Sequence, residues 1–64
     1  MKNYVVTLVA HYESNRTQTI RLNIEAGNKK TAYLRAMTEI HKNPKYKDIF
    51  ISLDKVEEIR KAGT

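Results

Sequence analysis

The chain has no cysteine, one proline and two glycines among its 64 residues. Without cysteine there is no disulfide framework and no thiolate metal site, so a reduced, cytoplasmic setting is expected. With so little glycine and proline there is no low-complexity linker, no collagen-like repeat and no glycine-rich phosphate loop. Long apolar runs are missing too. The most apolar stretch, Tyr4-Val5-Val6-Thr7-Leu8-Val9-Ala10, is interrupted by Thr7 and far too short to span a bilayer. Lys2 near the start is not followed by the apolar stretch and small-residue cleavage site of a signal peptide.

A chain of this length has room for a single domain spanning residues 1–64. Such a domain is expected to hold a net stability of roughly 3–5 kcal/mol. With 41% hydrophobic and 30% charged residues it is too apolar to stay disordered. A deep catalytic cleft is hard to build on so small a core, and an enzyme is not expected.

Residues 3–13 read as a strand, being rich in Val, Tyr and Thr and free of Gly and Pro. Residues 17–26 alternate with period two, placing Ile20, Leu22, Ile24 and Ala26 on one face and Thr19, Arg21, Asn23 and Glu25 on the other. Ser14-Asn15-Arg16 is a turn, because Ser and Asn hydrogen-bond their own backbone and Asn tolerates positive φ. Directly paired residues share a face, so the numbers in each pair must sum to an even number. A three-residue loop meets this condition by pairing Ala10 with Ile20 and Leu8 with Leu22.

Gly27-Asn28 closes the second strand, with Asn28 placed as a helix N-cap. The spacing then predicts a helix over 29–42, its apolar stripe formed by Tyr33, Ala36, Met37 and Ile40 with Ala32 beside it. Asn43-Pro44 stops it. Residues 48–53 read as a third strand with Ile49, Ile51 and Leu53 toward the core. Beyond it the period breaks. Asp54-Lys55-Val56-Glu57 fits a capping box, which predicts a short helix over 55–62; the alternative is a strand running on to Val56. The fold class is therefore α+β, ordered β-β-α-β. A right-handed crossover gives sheet order 2-1-3, with the helix on one face.

The formal net charge is +5. Between residues 28 and 47 six cations, Lys29, Lys30, Arg35, Lys42, Lys45 and Lys47, face one acid, Glu39, an excess equal to that of the whole chain. A localised basic side attracts an acidic protein surface or nucleic acid, although lysines also simply solvate a helix. Tyr46, between Lys45 and Lys47, joins these as a candidate contact. The sheet face away from the helix should carry Val5, Val9 and Phe50 as an apolar patch, which a homodimer would cover sheet to sheet or through an edge strand. Phe50 is the lone aromatic on that face, a sparse platform for stacking bases. His11, Ser52 and Asp54 can approach one another across strands 1 and 3, but no nucleophile-elbow glycine motif accompanies them. Two histidines far apart and no cysteine predict neither metal nor other cofactor.

The segments Tyr4-Val5-Val6-Thr7-Leu8 and Leu53-Asp54-Lys55-Val56 resemble small phage-encoded proteins that bind and inhibit host enzymes. The phage uracil-DNA glycosylase inhibitors are similar in size and in pairing a small sheet with helix. Those inhibitors mimic DNA with acidic surfaces, whereas this chain is basic, so the resemblance carries over no functional residue. What it implies is a compact phage or mobile-element accessory protein that works by occupying a host protein's surface. A small nucleic-acid-binding protein is the alternative.

Overall fold

In a computed structural model that describes residues 1–60, strand β1 (Lys2–His11) is the centre of a three-stranded antiparallel sheet. Strands β2 (Thr17–Ala26) and β3 (Phe50–Ile59) flank it in the order β2-β1-β3, and one helix, α1 (Lys29–Lys42), joins β2 to β3. The expected order, crossover and helix are all present. The helix starts where the N-cap reading places it: Asn28 is extended and its side chain accepts a hydrogen bond from the Thr31 amide at 2.8 Å.

Even-numbered residues of β1 make the floor of the core. Tyr4, Val6, Leu8 and Ala10 are all buried, and Ile20, Leu22 and Ile24 of β2 pack beside them. From above, α1 presents Ala32, Ala36 and Ile40, each buried, with Tyr33 and Met37 at the margins. Ala26, Ala32 and Ala36 have no exposed surface at all, so helix and sheet meet through methyl groups at close range.

Three expectations are corrected. The β1–β2 register is offset by two residues: Leu8 pairs with Ile20 and Ala10 with Gln18, so the loop spans 12–16 rather than 14–16. Ser14 and Asn15 both take positive φ (66° and 61°), within a short 3₁₀ turn, Glu13–Asn15. The Tyr12 amide closes that loop on the Arg16 carbonyl at 2.8 Å. The offset is even, so every side chain keeps its face.

Second, no helix forms over 55–59, where β3 continues instead; the remainder of the expected 55–62 segment, beyond Arg60, lies outside the described residues. Val6 pairs with Val56 and Tyr4 with Glu58. The change of period that suggested a helix start is a β-bulge. Leu8 pairs with Leu53 and Thr7 with Lys55, leaving Asp54 without a partner on β1. One extra residue inverts the parity, so odd Ile51 and Leu53 and then even Val56 all turn to the helix side. Deleting Asp54 removes the bulge yet leaves each remaining pair on its own face. The deletion variant is expected to fold with stability within about 1 kcal/mol of the parent by urea titration. With its flatter edge it should also associate more as concentration rises, which light scattering will register.

Third, Tyr46 is not a surface residue. Asn43 ends α1 with its amide on the Ile40 carbonyl, and its side chain then accepts from the Lys45 amide at 3.0 Å. Pro44 opens a second 3₁₀ turn, Pro44–Tyr46, which carries the Tyr46 ring into the core.

Candidate binding surfaces

The cations between residues 28 and 47 do not converge on one patch. Lys29 and Lys30 sit at the first turn of α1, and Lys42, Lys45 and Lys47 lie at or beyond its last. The helical residues 31–41 lie between the two groups and hold them about 18 Å apart along the axis. Lys42 pairs with Glu39 at 3.4 Å, and Lys45 holds its Nζ 5.5 Å from the centroid of the Tyr46 ring. Arg35 turns away from both groups: its Nη1 donates to the Glu25 carbonyl of β2 at 2.6 Å. Lys45 shares with Arg16, which the sequence reading left out, a cleft of about 460 Å³ also lined by Tyr12 and Gln18. The Tyr12 hydroxyl donates to Gln18 Oε1 at 2.6 Å in that cleft.

The face opposite the helix carries Val5, Thr7 and Val9 down its centre. Val5 and Val9 are half-buried and separated by Thr7, which is 1% exposed with its Oγ1 unpartnered among the described residues. Arg21 and Lys55 flank Thr7, and Asn23 and Glu57 flank Val5. Phe50 lies at one end of this face, paired with His11, their ring centroids 5.3 Å apart. Val5, Val9 and Phe50 therefore form a broken apolar line edged by polar and charged side chains, not one patch.

His11 and Ser52 do meet, with Nε2 2.8 Å from Oγ. Asp54 sits in the bulge and hydrogen-bonds to neither. A histidine beside a serine needs a group that orients the ring and donors for a developing oxyanion before it can drive acyl transfer. Among the described residues the His11–Ser52 contact is the one side-chain hydrogen bond that His11 makes. Those residues also contain no group of three His, Asp or Glu placed to hold a metal ion.

A third surface was not among the sequence candidates. Among the described residues no strand lies beside the outer edge of β2. Where this edge meets α1 there is a groove of about 550 Å³, lined by Leu22, Ile24, Thr31, Leu34, Arg35 and Thr38 among others. Leu34, off the core stripe of the helix, is 52% exposed there. The two sheet edges differ in kind. The β3 edge is bulged at Asp54 and carries Asp54, Lys55, Glu57 and Glu58, features that discourage pairing with another chain. The β2 edge is ten residues long, paired to β1 without a break, and contains neither Pro nor Lys. The sheet order 2-1-3 made β2 an edge strand, and a stretch 17–26 with neither Pro nor Lys and only two charges, Arg21 and Glu25, was the signal that could have marked it.

No family model, curated protein or solved structure matches the chain. No helix among the described residues is long and apolar enough to cross a membrane.

Proposed function

We propose that this chain is a non-enzymatic protein-binding module that takes up an extended segment of a partner along β2. The single observation carrying this reading is the long outer edge of β2, with no strand beside it among the described residues, next to the groove where it meets α1 and to which Leu22, Ile24 and Leu34 contribute. In strand addition, backbone hydrogen bonds supply affinity while pockets for alternate side chains supply selectivity. The β2 edge supplies the first. Leu22, Ile24 and Leu34 supply the second, and Arg35 gives the groove a cationic group near Glu25. A protein that works by occupying such a segment on a host enzyme would suit the accessory role implied by the resemblance to phage inhibitors.

Peptides selected against the folded protein by display, then titrated into the isotope-labelled chain, test this reading. Amide shifts are expected along Thr17–Ala26 and on the Thr31–Thr38 side of α1. Selected peptides whose shifts are confined to the open sheet face or the loops would overturn it.

A further inference from the structure

The charges on β2 are few and placed symmetrically. Its sequence, Thr17-Gln18-Thr19-Ile20-Arg21-Leu22-Asn23-Ile24-Glu25-Ala26, holds one cation and one anion, each two residues from Asn23. Both lie on the open face, both are exposed, and no ion pair engages either among the described residues. The side chains next to Asn23 on the other face are Leu22 and Ile24, which line the groove.

From this arrangement we infer that the segment taken up by β2 is β2 of a second copy, paired antiparallel about a two-fold axis through Asn23. The inference rests on the reading of β2 as the binding edge and names its occupant. A two-fold centred there opposes Arg21 to Glu25 of the second copy, and Glu25 to its Arg21. It also opposes Leu22 to Ile24, twice. Opposite charges and apolar pairs facing each other across strands are the favourable combinations. Moving the centre to residue 21 or 25 sets like charges against each other, and moving it to 22 or 24 leaves each charge facing an uncharged residue. One register thus satisfies both faces, which is what a closed, self-complementary interface requires. The two sheets become one continuous sheet with both helices on the same side, and the exposed Leu34 of each copy borders the new seam. The Glu25 carbonyl already accepts from Arg35, and its second lone pair stays available.

Because the chain has no cysteine, a single Asn23→Cys reports the register directly. Directly opposed residues of an antiparallel pair have Cα atoms about 4.5–5.5 Å apart. That separation lies inside the roughly 4.4–6.8 Å a disulfide spans. Under mild oxidation N23C is expected to form a covalent dimer much faster than Thr17→Cys on the same edge. By sedimentation equilibrium the parent chain should dimerise. Arg21→Glu or Glu25→Arg alone should raise the dissociation constant roughly ten-fold, and the double swap R21E/E25R should restore it.

A parent chain that stays monomeric at millimolar concentration overturns the inference. So does N23C cross-linking no faster than T17C, or a double swap that fails to rescue. If the chain is monomeric while selected peptides still shift the β2 amides, only the choice of occupant has failed and the binding edge stands. If neither a dimer nor a peptide engages β2, both fall. Circular dichroism of each variant separates loss of pairing from loss of fold.

Discussion

Leu8→Ala is expected to leave most of the chain unfolded at 25 °C. Leu8 sits in the middle of the central strand with no exposed surface, between Ile20 on one side and Leu53 on the other. Emptying such a site costs about 2–5 kcal/mol, the lost transfer energy plus the cavity left behind. A domain of this size holds only roughly 3–5 kcal/mol in total. The loss therefore consumes most or all of the margin. Urea titration followed by far-ultraviolet circular dichroism should show a parent transition that is absent or moved close to zero denaturant in the variant. Phe50→Ala is the control: its side chain is 69% exposed and the expected change stays within about 0.5 kcal/mol. If L8A unfolds with the parent midpoint, the layer that Leu8 anchors is not the core.

Ala36→Leu is the second large effect, also destabilising but by overpacking instead of by a cavity. With Ala26, Ala32 and Ala36 all fully buried, the distance between α1 and the sheet is set by side chains of one carbon each. A leucine at 36 has no space to enter without lifting the helix or moving Tyr4, Val6 or Leu8. Overpacking of this kind costs about 1–3 kcal/mol, sometimes more. The measured sign is informative. Leucine is the larger apolar residue and forms helices nearly as well as alanine, so propensity and hydrophobicity alone predict no loss of stability. A large destabilisation by urea titration identifies the close approach as its cause, whereas a neutral or stabilised variant would mean the helix stands further from the sheet.

The local elements were legible wherever one physical signal dominated. Period-two alternation in Ile20, Leu22 and Ile24 marked β2 to the residue, and Asn28 with the stripe Ala32, Tyr33, Ala36, Met37 and Ile40 marked α1 at both ends. The β1–β2 register was legible in parity but not in value. Parity follows from alternation, while the value depends on Ser14 and Asn15 adopting positive φ, a choice the closed loop makes. The C-terminal half of β3 was left between a short helix and a strand running on to Val56, and the structure takes the strand, with a bulge that the sequence did not announce. Asp54-Lys55-Val56-Glu57 contains the residues of a capping box, but pairing with β1 offers Val56 a place opposite Val6. A local signal worth about 1 kcal/mol does not outweigh a strand's pairing and burial.

The candidate site was the least legible part. Six cations close in sequence read as a patch, and α1 carries them to its two ends, with Arg35 held on the Glu25 carbonyl. Tyr46 looked exposed between two lysines, and the 3₁₀ turn after Pro44 buries it.

Sequence alone therefore determined the faces of β1 and β2, the helix and its start, and the sheet order, because side-chain periodicity and capping act over a few neighbouring residues. Only the tertiary structure decided that β3 is bulged at Asp54, where the cations end up, and that Leu34 borders a groove. Those properties depend on which backbone groups and side chains have no neighbour left to meet, and that is settled only after the whole chain has packed.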